Sequence, residues 1–316
     1  MNEKIPFVSI CTPTYNRRPF IPYIIKCFQD QTYPHDKMEW IIIDDGTDKI
    51  EDLVKDIPQV KYFKYEEKLT LGKKRNISHE KTRGDIIIYM DDDDYYPPER
   101  VSHAVDMLEK NPTILCAGLS ILHIFFKHVQ KMYQFGPYGD NHSTAASFAF
   151  RKKLLEITSF DESACLAEEK HFLKNYTIPL IQLDPLKTIL VFSHIHNSCD
   201  KKILLEKPEN SLITESPYLV LDFVKNEMVL KYFMKDIDSV LEIYEPGKPE
   251  NKVDVLKEIE RKKEKREADM KEQKYKRLLK SVNETIAENM TLKKRIAYLE
   301  EKIRSMIADN IKNYRN

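Results

Sequence analysis

Residues 83–98 read RGDIIIYMDDDDYYPP, a continuous apolar strand that runs directly into four aspartates. A strand without polar alternation is typical of a parallel sheet that helices cover on both faces. Pro98 then predicts the first turn of a helix that continues through Glu109, because proline is favoured at the start of a helix. This stretch therefore predicts a strand, an acidic loop and a helix of an α/β core.

The same alternation of strands and helices extends over the first 110 residues. Strands are predicted at residues 8–11, 40–43, 60–65 and 86–90, and helices at residues 20–28, 72–83 and 98–109. Further along the chain the pattern is less regular, with strand-like runs at residues 114–119, 145–150 and 188–192. The predicted fold class is α/β with a mostly parallel central sheet.

The composition excludes some classes of protein. The chain has 316 residues, of which 51 are Lys or Arg and 51 are Asp or Glu, so its formal net charge is zero. This balance does not favour a nucleic-acid-binding protein. Hydrophobic residues make up 41% of the chain, and its length allows one large domain or two ordinary ones with a buried core.

The cysteines and the apolar runs bear on the location of the protein. Five scattered cysteines without a Cys-x-x-Cys pair indicate free thiols in a reducing compartment. The N-terminus shows no apolar stretch typical of a secretory signal. The most apolar run, residues 114–126, is 13 residues long, whereas a membrane-spanning helix needs about 20. We therefore expect a cytoplasmic protein without a transmembrane segment, and leave peripheral contact with a membrane open.

Three segments are predicted along the chain. Residues 1–205 carry the α/β domain, residues 206–249 form a helical connector, and residues 250–316 form a charged helix with a coiled coil. The last boundary follows PGKP at residues 246–249, which breaks the helical pattern. The C-terminal segment holds 19 Lys or Arg and 13 Asp or Glu, so it carries +6 and the remaining residues carry −6. Overall neutrality therefore hides two oppositely charged parts.

A heptad pattern occupies about residues 275–310. One series is Leu278, Thr285, Leu292, Leu299 and Met306, and the companion series is Val282, Asn289, Ile296 and Ile303. This a/d pattern, with Asn289 at an a position, favours a parallel two-stranded coiled coil and hence a homodimer. A single amphipathic helix folded back on the α/β domain is the alternative.

Two acidic clusters follow two of the predicted strands. Asp44 and Asp45 end the strand at residues 40–43, and residues 91–94 end the strand at residues 86–90. Ligands of open α/β sheets bind beyond the carboxyl ends of the strands, so both clusters are expected at one edge. Their mutual repulsion favours a bound cation, and Mg²⁺ or Mn²⁺ prefers oxygen ligands. An exposed acidic loop is the alternative.

Two further segments carry polar groups suited to a ligand. Residues 71–76, LGKKRN, place a glycine and three cations at the start of a helix, an arrangement that suits phosphate oxygens. Beside a carboxylate–metal site they predict a nucleotide diphosphate. His194 and His196 follow the strand at residues 188–192 and share one face by alternation. A histidine hydrogen-bonded at a strand end is the alternative for this pair.

Five segments, in this order, resemble the motifs of the inverting family 2 glycosyltransferases of the GT-A fold. They are VSICTPTYNR at residues 8–17, IIIDDGT at 41–47, GKKRN at 72–76, RGDIIIYMDDDD at 83–94 with Pro98, and FDE at 160–162 with EEKHF at 168–172. The resemblance covers about residues 5–200. It implies that residues 1–205 are a GT-A catalytic domain, a Rossmann-like nucleotide-binding fold.

The resemblance also implies roles for individual residues. The nucleotide and diphosphate of the donor would contact Pro13, Tyr15, Asp45, Arg75 and Asp92. A metal ion, Mn²⁺ or Mg²⁺, would be held by Asp91, Asp93 and His194, with His196 as the second choice for the histidine. Glu169 aligns with the catalytic base, where the family usually has an Asp with a stem one methylene shorter. An ordinary acidic pair at a helix start is the alternative for Glu168 and Glu169.

The activity that the resemblance implies is metal-dependent transfer of a sugar from a nucleotide-diphosphate sugar, foremost a UDP-sugar, to an acceptor hydroxyl with inversion. The acceptor is left open among glycans, lipid-linked sugars, proteins and small molecules. An inactive scaffold whose coiled coil binds a partner is one alternative. A nucleotidyltransferase is another, but it would need a glycine-rich phosphate loop where residues 12–16 read TPTYN.

Overall fold

The central sheet is built on the apolar strands that the sequence predicts. The structure is a computed structural model, and it describes residues 5–197, 201–206 and 211–313. Its strands are β1 (Val8–Thr14), β2 (Met38–Asp44), β3 (Val60–Lys64), β4 (Ile86–Tyr89), β5 (Cys116–Gly118), β6 (Leu122–Phe126), β7 (Lys131–Phe135), β8 (Ala149–Arg151), β9 (Leu180–Gln182), β10 (Val191–Ser193) and β11 (Ile213–Glu215). Seven of them form the central sheet in the order β3-β2-β1-β4-β8-β5-β9.

Most neighbouring strands of this sheet are parallel. Strands β3, β2, β1 and β4 run in one direction, β5 is parallel to β9, and β8 runs antiparallel between β4 and β5. Every residue of β1, β2 and β4 is buried, as expected for strands covered on both faces. The predicted α/β fold with a mostly parallel sheet is confirmed.

A hydrophobic core lies on each face of the central sheet. Ile86 and Ile88 belong to one apolar cluster, whereas Ile87 and Tyr89 belong to another. Successive side chains of a strand point to opposite faces, so β4 alone contributes to both cores. The α-helices of the described chain are α1 (Ile21–Gln29), α2 (Glu51–Val54), α3 (Leu71–Lys81), α4 (Arg100–Lys110), α5 (Glu169–Phe172), α6 (Val220–Phe223), α7 (Glu227–Lys231), α8 (Ile237–Glu242) and α9 (Val253–Asn313).

A second sheet of four strands, in the order β10-β6-β7-β11, is not among the sequence predictions. Strands β6 and β7 form an antiparallel hairpin, and β11 pairs with β7 from within the segment predicted as a helical connector. Strands of three to five residues with polar side chains give too short a pattern for strand periodicity. Residues 206–249 therefore contain a strand as well as the short helices α6, α7 and α8.

The chain divides into two compact units, Met1–Glu258 and Ile259–Asn316. The boundary lies nine residues beyond the one predicted after residue 249. Helix α9 begins in the first unit, and the predicted long C-terminal helix is confirmed. The coiled coil stays a prediction.

Two expectations about location can be compared with the described residues. Across residues 5–197, 201–206 and 211–313, every helix is too short or too polar to cross a membrane. Four cysteines carry free thiols: Cys11, Cys27, Cys116 and Cys165. The fifth, Cys199, lies outside the described residues. The predicted cytoplasmic location stays a prediction.

A buried carboxylate, Glu39, ties β2 to its neighbours in the central sheet. It accepts hydrogen bonds from the Ser9 hydroxyl (2.6 Å) and from the backbone amide of Arg83 (2.6 Å). It also pairs with Nε of Arg83 (2.9 Å) and Nζ of Lys61 (2.7 Å). Burial by itself would raise the pKa of Glu39, but these donors lower it to about 2.

We expect Glu39→Gln to remove a pH-dependent part of the stability. The pKa of Glu39 rises from about 2 in the folded protein to 4.5 in the unfolded chain, so its contribution is complete above that value and is lost towards pH 2. The substitution should lower the free energy of unfolding by about 3 kcal/mol at pH 7 and by about 1 kcal/mol at pH 3, measured by urea unfolding.

The control for this prediction is Glu51→Gln, because Glu51 forms an exposed ion pair with Lys64 (2.9 Å). An exposed pair contributes less than about 1 kcal/mol, so the control should change stability little at either pH. Equal losses for Glu39→Gln at both pH values would contradict the prediction.

Candidate active site

The loops after β1 and β4 lie side by side because these strands are neighbours in the sheet. The amide of Met90 donates to the carbonyl of Cys11 (3.2 Å), and the Thr12 hydroxyl donates to the carbonyl of Met90 (2.6 Å). Nε1 of Trp40 in turn donates to the Thr12 hydroxyl (2.8 Å). These buried bonds hold residues 91–94 beside the end of β1.

A cavity opens beyond the carboxyl ends of these strands, the place where ligands of open α/β sheets bind. The residues that line it are Pro13, Tyr15, Arg17, Lys68, Leu69, Leu71, Lys74, Asp91, Asp92, Asp93, Cys165, Lys252, Asp254 and Val255. They come from the end of β1 and the turn after it, the region around the start of α3, the aspartate loop, the segment before α5 and the start of α9. Four positive and four negative side chains therefore face one space.

Arg17 holds two aspartates of the loop together. Its Nε lies 3.6 Å from Oδ1 of Asp92, and its NH2 group lies 3.1 Å from Oδ2 of Asp93. Burial opposes the ionisation of Asp93, but Arg17 and His194 lower its pKa well below the usual range. Burial and the neighbouring Asp93 raise the pKa of Asp92 to about 7. Asp93 therefore carries the negative charge of the pair more readily than Asp92.

Arg75 ties the aspartate loop to the start of α5. Its Nε donates to Oε1 of Glu168 (2.7 Å), and its two terminal nitrogens lie 3.3 Å from the two oxygens of Asp91. The guanidinium carbon also lies 4.3 Å from the centre of the Tyr89 ring. Although burial favours the neutral form, Asp91 and Glu168 raise the pKa of Arg75 well above its ordinary value. Arg75 is thus a buried cation between two carboxylates.

Asp45, after β2, fixes the lysine of α3 that faces the cavity. Its Oδ1 accepts from Nζ of Lys74 (2.8 Å), and its Oδ2 accepts from the amide of Leu69 (2.6 Å). Lys74 also donates to the carbonyl of Thr14 (3.3 Å). Asp45 itself is 2% exposed and lies behind the wall of the cavity.

His194 contacts the aspartate loop from the end of β10. Its Nε2 lies 3.4 Å from Oδ2 of Asp93, and burial lowers its pKa to about 3 although Asp93 opposes the shift. The amide of His196 donates to Nδ1 of His194 (3.2 Å), and Nδ2 of Asn197 lies 2.9 Å from its Nε2. Both ring nitrogens therefore have polar neighbours, and the contact with Oδ2 of Asp93 lets His194 orient this aspartate.

The aspartate loop fits a divalent cation on its charge and its donor atoms. Oδ1 of Asp94 is buried and has no hydrogen-bond partner within the described chain, and burial and Asp93 raise its pKa well above the usual range. The four aspartates thus outnumber the two arginines, Arg17 and Arg75, that pair with them. The described residues contain no group of three His, Cys, Asp or Glu side chains already placed to hold a metal. Mg²⁺, however, is usually bound by one or two carboxylates together with substrate phosphates and water.

A model of one protein family matches about half of the chain. Residues 9–163 match the model described as Glycosyl transferase family 2. This segment belongs to glycosyl transferase family 2. The predicted family is confirmed, and the mostly parallel sheet agrees with the GT-A fold that the family implies.

The chain is also similar to proteins named as glycosyltransferases. The putative teichuronic acid biosynthesis glycosyltransferase TuaG of Bacillus subtilis is 28% identical over 123 residues, 37% of this chain and 48% of the relative. The poly(ribitol-phosphate) beta-N-acetylglucosaminyltransferase TarS of Staphylococcus aureus is 26% identical over 116 residues, 33% of this chain and 19% of the relative. The chain therefore spans less than half the length of either relative.

A solved structure aligns with part of the chain as well. The crystal structure of residues 1–349 of S. aureus TarS gives a TM-score of 0.48 at 19% identity, covering 59% of this chain and 60% of that chain.

The fold brings some of the predicted site residues into the lining of the cavity, whereas others lie outside that lining. Those that line the cavity are Pro13, Tyr15, Asp91, Asp92 and Asp93. Those that do not are Asp45, Arg75, His194 and Glu169. Glu169 is half-buried at the first position of α5, next to the Glu168 that Arg75 holds. The roles assigned to all nine stay predictions.

The cavity also contains residues to which the sequence assigns no role. Lys252 immediately precedes α9, and Asp254 and Val255 lie in its first turn; all three are beyond the family 2 segment. Asp254 pairs with Lys68 across the cavity wall. Burial and Arg17 lower the pKa of Lys252 to about 7, although Asp93 opposes this shift. Only their charge marks Lys252 and Asp254 in the sequence, and charged residues occur throughout the C-terminal segment.

We expect Arg75→Met to destabilise the family 2 domain strongly. The substitution leaves Asp91 and Glu168 buried without their common cation, and breaking a buried ion pair in this way costs about 3–5 kcal/mol. The free energy of unfolding, measured in urea at pH 7, should fall by that amount.

The matched control is Arg18→Met, because Arg18 also binds two carboxylates, Asp48 (2.8 Å) and Asp52 (2.9 Å), but lies at the surface. It should lose no more than about 1 kcal/mol. A loss for Arg75→Met as small as that of the control would contradict the role assigned to the buried cluster.

Proposed function

We propose that the protein transfers a sugar from a nucleotide-diphosphate sugar to an acceptor hydroxyl, with inversion at the anomeric carbon. The observation that carries the proposal is the charged cavity at the carboxyl ends of the strands, which is lined mostly by residues of the family 2 glycosyltransferase segment. Aspartates of the predicted motif face it together with lysines and Tyr15. UDP-sugars are the first donors to test, because the family resemblance points to them.

The donor would lie along the wall formed by the end of β1 and the start of α3. The ring of Tyr15 has Nζ of Lys68 at 5.0 Å and Nζ of Lys74 at 5.8 Å from its centre. An aromatic face next to ammonium groups offers a surface for a nucleoside and charges for its phosphates. Pro13 and Tyr15 would therefore contact the nucleoside, and Asp45 would act by fixing Lys74.

Asp91 and Asp93 would hold Mn²⁺ or Mg²⁺ together with the donor phosphates. Both carboxylates line the cavity, and Asp93 is the more readily ionised member of its pair with Asp92. His194 would orient Asp93, as partners of metal-binding carboxylates commonly do. When bound, the ion would supply positive charge to the departing diphosphate.

Glu169 would accept the proton of the acceptor hydroxyl. It begins α5, whose position is set by the bond from Arg75 to Glu168. Arg75 also binds Asp91, so one side chain would position both the proposed base and an aspartate of the donor site. Attack on the face opposite the leaving diphosphate would invert the anomeric configuration.

The acceptor is proposed by class only. The names of TuaG and TarS refer to teichuronic acid and to poly(ribitol-phosphate), both polymers rich in hydroxyl groups. Extended glycans and polyol phosphate polymers are therefore the first acceptors to test, before lipid-linked sugars, proteins and small molecules. TarS is also named as an N-acetylglucosaminyltransferase, so UDP-N-acetylglucosamine belongs in the donor panel.

We expect donor turnover in the presence of Mn²⁺ or Mg²⁺ to depend on Asp93 and Glu169. Release of nucleoside diphosphate from a panel of nucleotide sugars measures it, with and without chelator. Glu169→Gln should keep donor binding but lose turnover by about 100-fold or more, because a general base contributes that much. Asp93→Ala should lose the response to the metal.

The matched control is Glu156→Gln, an exposed acidic side chain outside the five motifs, which should turn over like the wild type. Wild-type rates in both Asp93→Ala and Glu169→Gln would contradict the site assignment. If no nucleotide sugar or metal raises the melting temperature of the wild type, the scaffold alternative replaces the enzyme.

We also propose that α9 forms a parallel homodimeric coiled coil. All seven apolar residues of the two heptad series are exposed, with exposed fractions between 42% and 62%. They are Leu278, Val282, Leu292, Ile296, Leu299, Ile303 and Met306. A second copy of the helix would cover this stripe at matching positions, and a pair of Asn289 side chains would fix the register.

We expect Leu292→Glu combined with Ile296→Glu to convert a dimer into a monomer, because both charges would enter the seam. Analytical ultracentrifugation of the full chain measures this. Met290→Glu, at an equally exposed apolar residue outside the seam, should leave the dimer intact. A monomeric wild type, or a dimer that survives the double substitution, would contradict the coiled coil.

A further inference from the structure

The segment just before α9 packs against the turns that follow β1 and β2. The Tyr244 hydroxyl donates to Oδ2 of Asp48 (2.8 Å), and Nδ2 of Asn16 donates to the carbonyl of Pro246 (3.0 Å). A side chain at Gly247 would place its Cβ only 2.8 Å from the carbonyl oxygen of Asn16. Glycine is therefore needed at this position for the two backbones to approach so closely.

This packing brings Lys252 into the cavity of the family 2 domain. The Tyr15 hydroxyl donates to the carbonyl of Asn251 (3.4 Å), one residue before Lys252. Lys252 is 6% exposed, and it lines the same cavity as Asp92 and Asp93. The ammonium group of Lys252 therefore belongs to the lining of this cavity. In the sequence it follows the aspartates by about 160 residues.

The other cations of the cavity wall are fixed by short bonds to carboxylates. Arg17 lies 3.1 Å from Asp93, Lys74 lies 2.8 Å from Asp45, and Lys68 pairs with Asp254. These three side chains thus hold the loops of the cavity in place. Lys252 lines the same cavity as the aspartates, but it lies far beyond residues 9–163, the part of the chain that matches the family model.

We propose that Lys252 binds the diphosphate of the donor, so that the start of α9 completes the donor site. The inference rests on the proposed function, because it assigns a ligand group of that same cavity. A lysine is a compact charge on a flexible stem and is commonly used to bind phosphate oxygens. The competing role for Lys252 is that of a permanent counterion to Asp92 and Asp93, without contact to the donor.

Binding of two matched ligands separates these roles. The full chain with Mn²⁺ is titrated calorimetrically with UDP, GDP, ADP and dTDP, and the tightest of them is compared with its nucleoside. Lys252→Met and Lys252→Gln should each weaken diphosphate binding by about 10- to 100-fold, as loss of a charged hydrogen bond does. The affinity of both neutral variants for the nucleoside should stay within about twofold of the wild-type value. Lys252→Arg should recover most of the diphosphate affinity.

Lys248→Met is the matched control, because Lys248 lies in the same segment, but pairs with Glu245 (2.7 Å) at the surface and does not line the cavity. It should bind both ligands like the wild type. Unchanged diphosphate binding in both neutral Lys252 variants, or equal losses for diphosphate and nucleoside, would overturn the role of Lys252 alone. A wild type that binds none of the four diphosphates would overturn the proposed function as well.

Discussion

Two buried arginines stabilise the acidic loop at the carboxyl ends of the central strands. Four aspartates in succession would repel one another once they are removed from water, and the protein opposes this with Arg17 from one side and Arg75 from the other. Each guanidinium also binds a group from a distant part of the chain, the carbonyl of His196 or the carboxylate of Glu168. The loop, the end of β10 and the start of α5 are thereby fixed relative to one another by charge.

Most of the central sheet could be predicted from the sequence, because residues 40–43 and 86–89 form continuous apolar or aromatic runs and residues 60–65 alternate between apolar and polar side chains. The four runs at residues 8–11, 40–43, 60–65 and 86–90 became β1, β2, β3 and β4 with ends shifted by at most three residues. The second sheet could not be predicted in the same way. The predicted run at residues 188–192 overlaps β10, but β6, β7 and β11 are only three to five residues long, and their pairing depends on partners that local periodicity does not reveal.

The sequence motifs predicted the part of the candidate site that the turn after β1 and the acidic loop after β4 form. The acidic loop and the turn after β1 meet because β1 and β4 are adjacent, a consequence of parallel order that the sequence indicates. Motifs do not show which polar side chains face the cavity and which stand behind it. Asp45 and Arg75 bind partners within the protein, whereas Lys252 enters from more than 230 residues after β1.

The close approach of Gly247 to Asn16 also bears on how the protein can be shortened. A version that ends at residue 205 or 249, where the sequence pattern changes, would lose Lys252, Asp254 and Val255. It would keep every family 2 motif and still lack one side of the cavity. The shortest form that retains the complete wall ends near Glu258, where the compact unit itself ends.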